Sequence, residues 1–296
     1  YSGAWNFGTE TKSSVSVKKI VEYIIKFWGK GKIKVFNKNT NPVLLNADVQ
    51  LFLAYKNGEI VGRIAAIINW LEVVEKGSNK IRFGWMDMID DIEVTKALLD
   101  KVKAIGKSHD LNYMEGPIGF SNLDKVGVLT YGYNEIGTMV SWYNYPYYVD
   151  HLNHLNFKIE KEYVEHKHKF SDILIADSNR LEEVIKKRYK LRALDFNKTK
   201  DLMPYADKMF DLFNQSYASL SSFVEITDIQ KAFLKKKFLN FINPEYIKFV
   251  VNEVDELVAF GVVMPSFSEA LQKIKGKLWL KIFDVYGSWT WRRILL

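Results

Sequence analysis

At 296 residues, 48% hydrophobic and 15% aromatic, the chain is long enough to divide into two cores and too apolar to be disordered. It has no cysteine, which excludes disulfides, thiolate metal sites and a cysteine nucleophile together. The net charge of +7 admits an anionic partner, yet the densest basic runs, Lys186-Lys187-Arg188 and Lys235-Lys236-Lys237, fall in helix-like segments where a solvated face is the ordinary explanation, so nucleic acid is not expected.

The opening Tyr1-Ser2-Gly3-Ala4-Trp5 lacks the basic segment and apolar run of a secretory signal. No stretch reaches the ~18 apolar residues of a membrane span, so the chain reads as cytoplasmic with no membrane span. A helix is predicted from Val17 to Trp28, followed by Gly29-Lys30-Gly31-Lys32 and a polar loop from Asn37 to Pro42. Val49 to Tyr55 reads as a strand, Lys56-Asn57-Gly58-Glu59 as a turn built on Asn-Gly, and Ile60 to Asn69 as the antiparallel partner. A third strand fits Lys80 to Met88, after which Asp90-Asp91 can cap a helix with Val94, Leu98, Leu99 and Val102 on one face. Asn112 to Ile118 reads as a short strand entering a loop marked by Gly116, Pro117, Gly119 and Gly127. Thr138 to Trp142 is a strand or loop, Tyr147 to about Leu155 a helix, and Phe157 to His168 a closing strand.

The remainder resembles the start of a second unit. Leu181, Val184, Ile185 and Arg188 share a helical face within Asp172 to Arg188. A strand follows at Leu191 to Phe196, then helices from Met203 to Tyr217 and Asp228 to Leu239. A second hairpin joins Tyr246–Val251 to Leu257–Pro265 through the turn Asn252 to Glu256. The two hairpins share strand, acidic turn and strand, which suggests a repeated module.

Several chemistries lack their signals: there is no phosphate-binding Gly-x-x-x-x-Gly-Lys-Ser/Thr, no Gly-x-Ser-x-Gly and no His-Glu-x-x-His. His151 and His154 share a helix face and His166 and His168 one side of a strand, but no carboxylate stands at a supporting spacing, so no metal is expected. Asp87, Asp90, Asp91 and Glu93 could serve as a base or cation site, although a capped helix start accounts for at least two of them.

Leu51 to Asn69 resembles the central hairpin of the GNAT acyltransferases. The order of Phe83-Gly84-Trp85-Met86-Asp87, Gly116-Pro117-Ile118-Gly119-Phe120-Ser121, Gly132-Tyr133, Gly137-Thr138 and Tyr143-Asn144-Tyr145-Pro146-Tyr147-Tyr148 is similar to bacterial GNAT-like proteins with tandem modules. The resemblance runs with gaps from about Asn37 to Lys277. It implies an α/β fold with a mixed sheet, one complete GNAT-like module at 37–170, a linker helix at 171–190 and a partial second module at 191–296, behind a poorly assigned 1–36. It also implies transfer of an acetyl or other acyl group from acetyl-CoA or another acyl-CoA to a small-molecule or protein amine. The alternative is a protein that keeps the fold for binding and has lost catalysis.

By the same resemblance Tyr148 is the first choice for the catalytic acid, with Tyr145 beside it, and Glu115 for the base. Met88, Ile89 and Thr138 would border the cofactor. The main departure lies where the family places a glycine-rich pyrophosphate loop, because this chain has Met88-Ile89-Asp90-Asp91-Ile92-Glu93-Val94 there. Carboxylates suit a helix N-terminus but repel a pyrophosphate. In the second module the pattern ends near Lys277, and Trp279 to Arg293 contains no Gly-x-Gly.

Overall fold

The computed structural model describes residues 41–121, 123–138, 141–168, 175–220, 222–236 and 243–263, with 266, 268–269 and 272. The predicted helix from Val17 to Trp28, the segment 1–36 and the pattern from Lys273 to Arg293 lie outside the described residues. Two compact units emerge, one holding the described residues up to Asn156 with those from Ser266 onward, the other spanning Phe157–Pro265.

The first unit is built on a mixed sheet of order β1-β2-β3-β4: Ala47–Lys56, Glu59–Asn69, Lys80–Met88 and Tyr113–Glu115. β1 and β2 form the predicted hairpin, and Asn57 and Gly58 at its turn both take positive φ, 54° and 82°. That pair of left-handed residues gives a turn whose twist matches the strands, which is why Asn-Gly marks it in the sequence. β2 and β3 are antiparallel, while β4 joins β3 in parallel through Lys80↔Tyr113, Ile81↔Met114 and Arg82↔Glu115. Between them runs α1, Ile92–Ser108, capped by the Asp91 carboxylate accepting from the Glu93 N–H. Its Val94, Leu98, Leu99 and Val102 are buried on the face of the sheet that carries Ile64, Ile81 and Phe83. Each such side chain contributes roughly 1.5–3 kcal/mol when fully buried, so this interface holds the unit together.

Two features of β3 shape what lies beside it. Opposite β2 the register jumps from Ala65↔Gly84 to Arg63↔Asp87, and Trp85 within the jump has φ 44°. The strand therefore carries a β-bulge, the kind of irregularity that bends a strand and re-aims its side chains. On its other edge the chain after β4 stays against β3 only briefly: the Ile118 N–H donates to Phe83 O at 2.8 Å. A methyl group on Gly84 would collide with the Ile118 carbonyl, so this crossing needs a glycine.

The segment from Ile118 is then drawn away from β3 by a buried polar network. Arg82, with no exposed surface, donates through Nε to Glu72 Oε2 at 2.8 Å and through Nη1 to Gly119 O at 3.2 Å and Phe120 O at 3.4 Å. Asn69 Nδ2 adds a bond to Phe120 O at 3.0 Å. The Asp124 carboxylate accepts the N–H groups of Phe120 and Ser121 at 2.8 and 3.1 Å. Glu72 belongs to a π-helical turn, Leu71–Glu75, which the sequence reading did not anticipate.

α2, Tyr147–His154, is the last helix of this unit before the chain passes into the second. Phe157 to His168, predicted as a strand, takes no regular structure, and Ile159, Tyr163 and Val164 are exposed. Alternating residues make a strand only when a neighbouring edge pairs with them in register, and no strand pairing is formed by this segment among the described residues.

In the second unit α3 (Ile175–Tyr189) precedes β5 (Arg192–Leu194), α4 (Thr199–Tyr217), α5 (Asp228–Leu234), β6 (Ile247–Val251) and β7 (Leu257–Val262). The strands form an antiparallel sheet of order β5-β6-β7. Phe196, Leu202, Ala206, Met209, Phe210, Ile226, Ile247 and Phe249 make its core. Asn214, buried in α4, closes the loop before α5 by exchanging two bonds with the Ile226 backbone at 2.9 and 3.0 Å.

Candidate functional site

The site follows from where β3 loses its neighbour. Beyond the Ile118–Phe83 bond, the next described backbone contact on that edge comes from α2. Tyr147 Oη donates to Met88 O at 2.7 Å, and the Met88 N–H donates to Tyr148 Oη at 3.3 Å. Two phenols thus take the place of a paired strand at Met88. Between the two closures lie Trp85, Met86 and Asp87, a stretch of about 10 Å along which no described residue bonds that backbone edge.

Around Tyr148 the charges are ordered. Its hydroxyl donates to Asp87 Oδ1 at 3.4 Å, and the other oxygen of Asp87 holds Arg63 Nε and Nη2, each at 2.6 Å. Burial pushes the Tyr148 phenol well above its ordinary 10.0, partly offset by the Met88 N–H and reinforced by the Asp87 charge. Tyr147 is raised as well, by burial and by the neighbouring Asp90 carboxylate. Both phenols are therefore protonated at neutral pH. The Tyr147 ring stacks on Tyr145 at 5.7 Å, and Tyr145 meets Tyr143 edge-on at 6.1 Å, both of these outer rings being exposed.

On the same helix His151 is buried between Thr95 Oγ1, 2.8 Å from Nδ1, and Asp90 Oδ1, 3.2 Å from Nε2. It thereby ties α2 to the first turn of α1. At that turn Asp91 also pairs with Lys56 at 2.6 Å, and this hydrogen bond, with the capped Glu93 N–H, holds the carboxyl below its usual range.

The residues read from the sequence separate into two places. Met88 and Tyr148 meet, with Tyr145 one ring further out. Glu115 lies at the opposite end of β3, paired with Arg82 in register and holding Lys80 Nζ at 2.5 Å. Six residues of strand, roughly 20 Å, separate that end from Met88, so a base at Glu115 and an acid at Tyr148 do not share one reaction centre. Lys80 Nζ also meets Glu72 at 2.7 Å. Burial pulls the Lys80 ammonium down, but its bonds to Glu115 and Glu72 outweigh that and leave it raised above 10.5. Glu115 is thus part of the buried network that diverts the chain after β4. Thr138 stands in an exposed loop, its hydroxyl 3.0 Å from that of Ser141.

Met88 and Ile89 do not offer the amides that a pyrophosphate requires. The Met88 N–H is taken by Tyr148, and the Ile89 N–H donates to Val61 O at 3.0 Å. The helix start beyond them is capped by Asp91 itself. The pyrophosphate of coenzyme A therefore does not fit at Met88–Val94, because filled donors and carboxylate charge both oppose it.

Two curated bacterial proteins are similar to this chain. Protein YghO of Escherichia coli K12 is 24% identical over 238 residues, covering 79% of this chain and 60% of its own length. A bacterial ceramide synthase of Caulobacter vibrioides is 26% identical over 254 residues, covering 82% of this chain and 64% of its own. The chain thus spans under two thirds of the length of either relative. No family model and no solved structure matches it.

Sequence reasoning missed the Glu72–Lys80–Arg82–Glu115 network and the pairing of His151 with Thr95 and Asp90. The signal available for the first was Lys80 and Arg82 alternating with Ile81 and Phe83 in an otherwise buried strand. A concavity of about 220 Å³ bordered by Asp48, Gln50, Ala66, Ile68, Ile105 and His109 lies toward the other end of β2, away from Gly62, which pairs with Met88. It contains none of the groups considered above. Among the described residues no helix is long and apolar enough to cross a membrane, and no cluster of His, Asp and Glu is arranged to hold a metal.

Proposed function

We propose that this chain is the amide-forming part of an N-acyltransferase of the GNAT type, acting at the open edge of β3 on an amine with an aliphatic chain. The second unit is read as a partial second module. The observation that carries the reading is the stretch Trp85 to Asp87, between the Ile118–Phe83 bond and the tyrosines at Met88, along which no described residue bonds the edge of β3, in a chain similar to a protein named as a bacterial ceramide synthase. A ceramide is the amide of a long-chain amino alcohol, so an acceptor of that kind is the natural one to try.

The side chains at the opening suit an amine. Asp87 and Asp90 stand beside the Tyr147 ring, and carboxylates with aromatic faces attract an ammonium group. Tyr145 and Tyr143 continue the aromatic surface outward and can lie along an alkyl chain. Acyl transfer requires the amine to become neutral before it attacks. Tyr148, holding its proton, can turn its one O–H from the long bond to Asp87 Oδ1 toward charge that develops on the acyl group. Acyl-CoA remains the proposed donor class, but its pyrophosphate would have to bind somewhere other than Met88–Val94.

A second reading, a GNAT-like fold kept for binding alone, is favoured by that same self-capped helix start. The two separate by experiment. Purified chain is incubated with acetyl-CoA or palmitoyl-CoA and sphinganine, with mass spectrometry for the amide and calorimetry for donor binding. The acyltransferase reading expects amide formation that Tyr148→Phe lowers at least tenfold. Absence of amide, together with no heat of donor binding at millimolar concentration, leaves the binding-only reading.

A further inference from the structure

Helix α2 is too short and too weakly capped to hold its own place. It has eight residues, Pro146 at its N-cap supplies no side-chain bond, and its buried side chains are Tyr148, His151 and Leu152. An isolated helix of that length is not stable in water, so its position depends on what those side chains meet. Burial of Leu152 favours contact but has no direction. Tyr148 bonds the Met88 N–H, and His151 is bonded on both sides of its ring.

The imidazole keeps those bonds in either charge state. Nε2 faces the Asp90 carboxylate at 3.2 Å and so carries its hydrogen. Nδ1 lies 2.8 Å from Thr95 Oγ1, which is itself 3.4 Å from the Asp91 carbonyl. When Nδ1 is bare, the threonine hydroxyl donates to it. When Nδ1 is protonated it donates instead, and the hydroxyl turns to Asp91 O. Thr95 has no exposed surface, so its hydroxyl serves these two partners away from solvent. Of the carboxylates at this turn, Asp90 serves the imidazole, while Asp91 serves Lys56 and the Glu93 N–H. The acids that oppose a pyrophosphate thus have internal partners. His151 also stands one turn beyond Tyr147 and Tyr148 on the same helical face, its ring 5.4 Å from that of Tyr147.

We propose that His151 is a positioning residue for the site at β3: it sets α2 on the start of α1 through Thr95 and Asp90, and thereby keeps the Tyr147 and Tyr148 hydroxyls at Met88. Its consequence for turnover rests on the acyl-transfer reading. Its placement of the phenols does not.

The test uses nuclear magnetic resonance of the whole chain labelled at its methionine nitrogens. The Met88 amide reports the bond to Tyr148, while Met114 and Met209 report β4 and α4. Thr95→Val keeps the shape and removes the hydroxyl, His151→Phe keeps a ring and removes both bonds, and Thr95→Ser keeps the hydroxyl. The first two are expected to move the Met88 signal and speed its amide exchange about tenfold, roughly the effect of one lost buried hydrogen bond. Met114 and Met209 should not move, and Thr95→Ser should retain the wild-type Met88 signal. Asp90→Ala, at a side chain 69% exposed, makes the same demand on Met88 without disturbing a buried residue. With acyl-CoA and sphinganine, kcat of Thr95→Val should fall about tenfold with KM unchanged. The proposal is overturned if the Met88 signal stays in place in Thr95→Val and Asp90→Ala. It is equally overturned if Met114 moves with Met88 as the unfolding midpoint falls, because His151 would then serve stability in general. Should wild type form no amide, the acyl-transfer reading fails, and the Met88 signals still decide whether His151 places the phenols.

Discussion

Tyr148 shows how much one hydroxyl can do at a strand edge. It accepts the Met88 N–H and reaches Asp87 from a position 6% exposed, so removing it leaves a buried donor without its bond. Tyr148→Phe should cost about 1–3 kcal/mol in urea unfolding. The pH dependence has a definite sign. Because the phenol is raised in the folded state, the unfolded chain releases that proton first, and stability present below pH 10.0 falls as pH rises beyond it. Lys80, raised above 10.5, acts in the same direction. Urea midpoints should therefore drop at alkaline pH, and Tyr148→Phe should flatten the part of the drop that begins near pH 10.0. A variant whose alkaline slope equals that of wild type would contradict the assignment. The tyrosine-rich run was conspicuous in the sequence, but whether any one ring faced solvent, core or strand depended on a partner distant along the chain. Tyr145, beside Tyr148 in the sequence reading, is exposed while Tyr148 is buried.

At the scale of elements, the polar network at the start of β3 has the larger energetic consequence. Glu72 neutralises two buried cations, Lys80 and Arg82, and Glu115 supplies the second negative charge. Breaking one member leaves an uncompensated buried charge, so Glu72→Gln should destabilise the first unit by about 3–5 kcal/mol, measured by denaturant unfolding. The same change should loosen the segment through Gly119 and Phe120, read as faster amide exchange at Phe120 and Ser121. Gly84→Ala would act at the same crossing by forcing the Ile118 carbonyl off β3. The strands and helices themselves were legible: Lys80–Met88 was read at its observed bounds, and the Asn-Gly turn and the Asp91 cap through their local chemistry. The segment from Phe157 to His168 was not, since alternation is a necessary sign of a strand and an insufficient one.

For the whole molecule, each unit has its own core, and the second can be probed by substitutions that leave every residue of the first unchanged. Leu202 has no exposed surface within that second core, so Leu202→Ala should cost about 2–5 kcal/mol in denaturant unfolding. If acyl transfer resides at β3, turnover by the folded variant should stay within about twofold at 25 °C, in contrast to Tyr148→Phe. A loss as large as that of Tyr148→Phe would place part of the reaction in the second unit.

The sequence by itself determined most of the elements, the absence of thiol chemistry, and the conflict between carboxylates and a phosphate loop at Met88–Val94, because hydrophobic period, turn residues and helix caps act over a few neighbours. Tertiary structure alone decided that Tyr148 closes on Met88, sixty positions away, and that Glu115 answers Lys80 instead of facing Tyr148. Those outcomes depend on which edge of a strand is left without a partner and which charges are buried together, and both are settled only when distant segments pack.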